Sequence, residues 1–313
     1  MPLTSGPSAP RPAPPDLARA RALVLAHGWN AMAYQVLNPG MRRWFSRAGD
    51  GLVGYVVAAG HRVIAGSPIC PDERLAAVEA EFEADAEAAG HRLCYFGAEE
   101  RLVRVLAARR PVATLLLGAQ PTWPTAAWPD IVAGRASLRA QLARARNKGV
   151  VVEAWEAAAA MNHPELRRCL TEWLATRGLP PMHFLIEWDV MARLIDQRVF
   201  VARRGGAIVG FLIAAPIPRR QGWLMEQIVR GRAAPNGTNE LLLDTAVRQL
   251  HADGARFMTL GLSPLSDAAG ATGSPAGPVV RLLLAWIRAH GRRFYDFQGL
   301  EQFKSKFQRS EER

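Results

Sequence analysis

Cysteine is scarce in this chain of 313 residues. Cys70, Cys94 and Cys169 are odd in number, and none stands in a CxxC spacing. That excludes a disulfide framework and points to unpaired thiols in a reducing compartment. The seven histidines are scattered, with no HExxH and no HxH, so no metal centre can be read from the sequence. Long apolar runs are missing as well. The longest, residues 208–218, falls well short of the roughly 20 residues that span a bilayer, so a lipid substrate would have to be reached from the water side. The first fifteen residues, MPLTSGPSAPRPAPP, lack the apolar core of a signal peptide and read as a disordered tail. Acidic residues are absent between Gly134 and Val152.

What is present is enough for a core. Hydrophobic residues make up 49% of the chain, which can build one large domain or two of ordinary size. The formal charge is +11, from 39 Lys and Arg against 28 Asp and Glu. Such a balance favours polyanionic partners: nucleic acid, anionic lipid surfaces or phosphorylated substrates.

Short strands and amphipathic helices alternate along the chain. A helix at 16–27 is followed by strand-like pieces at 32–36 and 41–46. A hairpin turns at Ala59-Gly60-His61. An acidic helix at 72–90, a strand at 91–97, a helix at 99–110 and a strand at 113–117 complete the first half. Pro121, Pro124 and Pro129 are turn signals. Ser137 is placed to cap a helix carrying Arg139, Arg144, Arg146 and Lys148. With no acid interleaved, this helix reads as an anion-binding surface. Later come a helix at 166–176, a low-complexity stretch at 266–277 that suits a lid, a helix at 279–290 and a closing strand with Lys304 and Lys306.

The most structured stretch is residues 225–265: strand, turn, helix, strand. Pro235 fixes φ and Gly237 permits a positive φ. Thr238 or Asn239 can cap the helix, with Glu240 in its first turn. Leu241, Leu242, Thr245, Ala246 and Leu250 form its apolar stripe. A turn whose bare N–H groups open a helix suits an anionic group.

The two halves share a grammar. The hairpin at residues 55–66 is similar to that at 200–211, and residues 87–97 are similar to 250–261. In each half a hairpin precedes a helix and a strand ending in Gly, at a spacing of roughly 145–165 residues. The predicted organisation is a tail at 1–15, a first domain at 16–133, a basic linker helix at 134–149 and a second domain at 150–313.

Three stretches in order carry a more specific signal: SLRAQLARARNKGV, IVRGRAAPNGTNELLLD…GARFMTLGLSPLS and RFYDFQGLEQFKSKF. From about residue 20 onward the chain resembles the C-terminal catalytic domain of the bacterial aminoacyl-phosphatidylglycerol synthases, the lysyl- or alanyl-transferring multiple peptide resistance factors, in stand-alone form. The resemblance implies an α/β (α+β) fold of tandem acetyltransferase-like (GNAT) units joined by the basic helix. It implies transfer of an amino acid from aminoacyl-tRNA to a lipid hydroxyl such as that of phosphatidylglycerol, with no cofactor or metal. The implied partners are aminoacyl-tRNA, an anionic lipid and, for a stand-alone form, a separate membrane protein. The implied location is the cytoplasm or the inner face of the cytoplasmic membrane. Three departures stand out. Gln227 occupies the place of an Asp three residues before Arg230, Ser-Glu-Glu-Arg313 stands where the family usually continues into a Trp- and Tyr-containing tail, and the multi-helix membrane domain of the full-length synthases is not part of this sequence.

Acyl transfer to an alcohol needs a base and oxyanion donors. Arg230 is placed to bind a phosphate or the terminal adenosine. Asn236, Gly237 and neighbouring N–H groups line the acyl site. Glu240 or Asp244 is the base or the ammonium partner. Lys304 and Lys306 share a strand face and grip phosphate, with Asp296 and Gln227 near the substrate. Two alternatives remain open. One is a GNAT-type acyltransferase using acyl-CoA, although the PNGTNE turn does not fit the R/Q-x-x-G-x-G/A loop. The other is a non-catalytic pair that binds tRNA or anionic membrane.

Overall fold

A computed structural model describes residues 15–109, 114, 118–175, 191, 194–264 and 310–312. The first sheet has four strands in the order β1 (Arg42–Phe45), β2 (Leu52–Ala58), β3 (His61–Ala65) and β4 (Arg92–Phe96). The first three are antiparallel; β4 runs parallel to β3 after the crossover helix α2 (Leu75–Ala88). Helices α1 (Pro15–His27) and α3 (Glu100–Ala107) flank this unit.

The second sheet repeats the wiring. β6 (Val150–Trp155), β7 (Arg198–Arg204), β8 (Ala207–Ile217) and β9 (Gly222–Arg230) are an antiparallel run. Helix α8 (Thr238–Ala252) then crosses over to β10 (Phe257–Thr259), which is parallel to β9. The mixed α/β fold of two similarly wired units is as expected, but the matching hairpins are not. Topology equates the pair β2–β3 with β8–β9, one strand later than the similarity at 200–211 suggested, because only β9 precedes the crossover helix as β3 does. The turns after these helices carry positive-φ glycines at Gly90 and Gly254, and the strands end at positive-φ Gly97 and Gly261. The spacing is 164 residues for both pairs.

Several local expectations change. Residues 33–37 form a buried 3-10 turn instead of a strand. The strand expected at 113–117 lies largely outside the described residues; the strand seen is β5 (Gly118–Pro124), in the stretch read as turns. β5 pairs antiparallel with β10, with β11 (Ser263–Pro264) and with β12 (Ser310–Glu312). Thus β5 and the following α4 (Trp128–Ala133), both within the span assigned to the first domain, belong to the second sheet and its core. Trp123 and Trp128 stack there at 5.7 Å, fully buried. A hydrophobic strand edge and two indoles gain more by completing the larger core than by staying with the chain that precedes them.

The basic helix is α5 (Ala136–Asn147). Arg135 occupies its N-cap without a side-chain bond, so Ser137 does not cap it. The long apolar run is the central strand β8, buried on both faces. On one face, Leu212 and Ala214 meet α5 and α8. On the other, Ile213 packs with α7 (Pro164–Leu174), and Ala215 with α1 and the 3-10 turn. The two halves therefore share one packed junction.

Burial pushes the Cys70 thiol up to about 12 and the Cys169 thiol up to about 11, while Cys94 is exposed on β4. Both buried thiols stay protonated at neutral pH, and only a thiolate attacks a disulfide reagent. Ellman titration at pH 8 should therefore find one fast thiol per native chain and three after denaturation.

Candidate functional site

The site starts where two parallel strands part. β10 pairs with β9 only from Gly222 to Leu224, with Thr259 opposite Leu224. Beyond that point β10's chain follows β5, and β11 pairs with Ala119 and Gly118. β9 continues to Arg230, so on that side Met225–Arg230 has no paired strand among the described residues, and this parting of the strands is the candidate cleft. Arg230 ends the strand exposed to solvent.

The chain then turns through Pro235, Asn236 and Gly237 into α8. Gly237 is the N-cap, with φ +93°, and no side chain caps the helix. Thr238 is the first helical residue, and its hydroxyl donates back to the Pro235 carbonyl at 2.7 Å. The expected Thr238 or Asn239 cap is thus replaced by a backbone solution. A Cβ on Gly237 would stand 2.1 Å from the Gln141 carbonyl oxygen and 3.3 Å from Ala145. The turn is therefore pressed against the basic helix α5, at a residue ninety-six positions earlier in the chain. Asn236 is exposed and Glu240 buried.

Four basic residues of this region take different roles. Arg139 donates to the Val132 carbonyl at 3.4 Å and to the Ala133 carbonyl, at the C-terminal end of α4. Arg146 pairs with Asp244 at 3.0 Å. Arg144 is exposed, with a 3.4 Å contact to Gln141. Lys148 is exposed at the end of α5, and its carbonyl accepts Arg204 Nε at 3.0 Å. The outward basic surface therefore comprises Arg144 and Lys148, with Arg204 from the end of β7 added by the fold.

Asp244 is fully buried and accepts from Trp128 Nε1 at 2.9 Å, Arg248 Nε at 2.9 Å and Arg146 Nη2 at 3.0 Å. A carboxylate so saturated joins α4, α5 and α8. The two guanidiniums are about half exposed, so water would recover part of what they lose on its removal. Asp244→Asn should cost about 2 kcal/mol, mainly through the misplaced buried amide. Urea melts check this. An unchanged midpoint with abolished activity would instead assign Asp244 to chemistry.

Behind the cleft, on the face away from α8, the junction holds a second polar group. Tyr34 donates to Asp196 Oδ2 at 3.0 Å and lies 3.3 Å from Gln197 Oε1. Arg21 clamps Asp196 with bonds of 2.8 and 2.5 Å. Burial, then the charge of Asp196, pushes the Tyr34 phenol upward, with Glu226 adding to the field. Gln227 is buried on β9. Lys304, Lys306 and Asp296 lie outside the described residues, as do the stretch at 266–277 and the helix at 279–290. Among the described residues no group of three His, Cys, Asp or Glu is arranged to hold a metal ion, and no helix is long and apolar enough to cross a membrane.

The sequence profile of the family described as phosphatidylglycerol lysyltransferase, C-terminal, matches residues 21–313. The chain belongs to that family. An MprF-like domain protein of Mycobacterium tuberculosis is 25% identical over 282 residues, covering 85% of this chain and 56% of the relative. The chain thus spans little more than half the length of that relative. Two solved structures share the fold. The DUF2156 C-terminal domain of a lysylphosphatidylglycerol synthetase from Agrobacterium fabrum superposes with a TM-score of 0.78 at 24% identity, covering 95% of this chain and 89% of its own. L-PGS from Bacillus licheniformis gives 0.75 at 19% identity, covering 95% and 90%.

For this member of the phosphatidylglycerol lysyltransferase C-terminal family, Tyr34, Asp196, Arg21 and Arg204 were not legible as site residues. Tyr34 and Asp196 are 162 residues apart in the sequence. No local pattern marks their meeting. The basic helix and the PNG turn were legible separately, but their contact was not.

Proposed function

We propose that this chain is an aminoacyltransferase that moves an amino acid from aminoacyl-tRNA to a lipid hydroxyl such as that of phosphatidylglycerol. The observation that carries the reading is the contact between the basic helix α5 and the turn that opens α8, at the end of β9 where the strands part. A polyanion held on Arg144, Lys148 and Arg204 would deliver its terminal ester to that cleft. The family match supports the same class of reaction.

The lipid hydroxyl attacks the ester carbonyl, and its proton passes to a base. The tetrahedral intermediate collapses with loss of the ribose hydroxyl of the terminal adenosine. Helix-opening N–H groups of α8 beyond Thr238, whose own N–H donates to the Pro235 carbonyl at 3.3 Å, suit the oxyanion. Of the two carboxylates on α8, Asp244 is a structural anchor held by three donors, and Glu240, in the first turn at the helix opening, is the proposed base. Arg230 at the rim, with Lys304 and Lys306, would hold phosphate.

The test is incubation of the protein with each of twenty radiolabelled aminoacyl-tRNAs and phosphatidylglycerol vesicles. At least one should yield a labelled lipid that disappears when the tRNA is digested first. No labelled lipid with any of the twenty, alongside hydrolysis of an acyl-CoA, would overturn the reading in favour of a conventional acyltransferase. Binding of tRNA or vesicles without turnover would favour the non-catalytic alternative.

A further inference from the structure

Helix α7 covers the face of the second sheet opposite α8, where Leu166, Cys169 and Leu170 pack with Val201, Phe211 and Val229. Two of its carboxylates, Glu165 and Glu172, stand about two turns apart along one side of the helix. Both accept bonds from backbone N–H groups. Glu165 Oε2 takes the N–H of Ile208 at 3.1 Å, just past the β7–β8 turn, where the register of the two strands shifts. Glu172 Oε2 takes the N–H of Arg232 at 3.0 Å, just beyond the end of β9. Arg168 lies between the two carboxylates, at 4.0 Å from each.

The second bond falls on the arm that joins Arg230 to Gly237. Within it the Gly231 N–H donates to the Val209 carbonyl at 2.9 Å, and the Ala234 N–H to the Gly231 carbonyl at 3.2 Å. A Cβ on Gly231 would meet Glu172 Oε2 at 3.1 Å, Cys169 Sγ at 3.2 Å and the Val209 carbonyl oxygen at 3.3 Å, so the arm is seated closely on α7. Its far end is held against α5 at Gly237. Val229 packs toward α7, so alternation turns Arg230 to the face of α8. Glu172 thus grips the arm from the side away from Arg230 and the α8 opening. A carboxylate bonded to a backbone N–H is among the stronger hydrogen bonds, and here about a third of the Glu172 side chain faces water, which screens it.

We propose that Glu172 is a positioning residue for acyl transfer. Its bond to Arg232 sets where the arm leaves β9, and so where Arg230 and the helix-opening N–H groups of α8 stand at the candidate cleft. Glu172 acts through the arm and not on the substrate. The assignment rests on the aminoacyl-transfer reading above.

Kinetics and hydrogen exchange on the full chain test it together. Glu172→Ala should lower kcat for lipid labelling about 10-fold, the worth of one charged hydrogen bond partly open to water. Binding of tRNA should stay within about twofold of native, because Arg144, Lys148 and Arg204 are untouched. Glu172→Gln keeps an acceptor oxygen and should recover most of the loss, which a role confined to charge would not allow. Hydrogen exchange read by mass spectrometry reports the tether itself. In Glu172→Ala the peptide covering 230–234 should gain an amide that exchanges about 10-fold faster, while the Ile208 amide on Glu165 keeps its native rate. A kcat within twofold of native, a Gln variant as impaired as the Ala variant, or unchanged exchange at 230–234 would each overturn the assignment. Faster exchange at Ile208 as well would mean that α7 itself had shifted, and would overturn it too. The exchange measurement needs no turnover. If the native protein labels no lipid, the proposed function falls, and faster exchange confined to 230–234 leaves the tether standing.

Discussion

Replacing Gly237 by Ala should lower the melting temperature by about 4–20 °C and abolish transfer activity with it. Two independent penalties meet at this position. The φ of +93° lies where a Cβ costs about 1–2 kcal/mol. The new atom would also stand 2.1 Å from the Gln141 carbonyl oxygen and 2.9 Å from its carbon, which are backbone atoms of α5 that no side-chain rotation can clear. Overpacking of this kind costs about 1–3 kcal/mol, for a total of about 2–5 kcal/mol. In a chain of this size each kcal/mol moves the midpoint by about 2–4 °C. The neighbouring Asn236 is exposed, so Asn236→Ala should stay within about 0.5 kcal/mol. Differential scanning calorimetry of both variants decides the matter. Equal melting would mean that α5 and the turn are not pressed together.

Neutralising Arg144, Lys148 and Arg204 together, each to Gln, should weaken tRNA binding roughly 100-fold near 0.15 M salt and leave little difference near 1 M. Each phosphate contact removes about 0.7–0.9 from the slope of log K against log salt, so the slope should flatten by about two to three units. Arg139→Gln should change the slope far less, because its guanidinium serves the carbonyls at the end of α4. Arg146→Gln should fall between the two, since Asp244 already holds that charge. Filter binding over a salt series distinguishes the three variants. An unchanged slope in the triple variant would remove α5 from the polyanion surface, and with it the observation on which the function is argued.

The variants on α5 separate positions that look alike in one dimension. In SLRAQLARARNKG all four cations are equivalent members of an acid-free helix. Only the neighbours supplied by α4 and α8 decide which of them turn inward. Likewise, Glu240 and Asp244 are both acids on one helix, four residues apart. The indole of Trp128 and the guanidinium of Arg146, both distant in sequence, saturate one of them.

Much was fixed by the chain alone. Apolar periodicity and the Asp253-Gly254 stop specify α8, and the Ala59-Gly60 turn specifies the β2–β3 hairpin, because both depend on residues within a turn of one another. Composition determined a basic chain with unpaired thiols, and three ordered motifs determined the family. The tertiary structure alone decided that β5 joins the second sheet, that the PNG turn abuts α5, that Tyr34 meets Asp196 and that Glu172 holds the Arg232 amide. The reason is common to all four. Each depends on a contact or a strand register whose partners lie tens to more than a hundred residues away. Local propensity does not encode such a register; it emerges when two sheets compete to bury the same apolar surface.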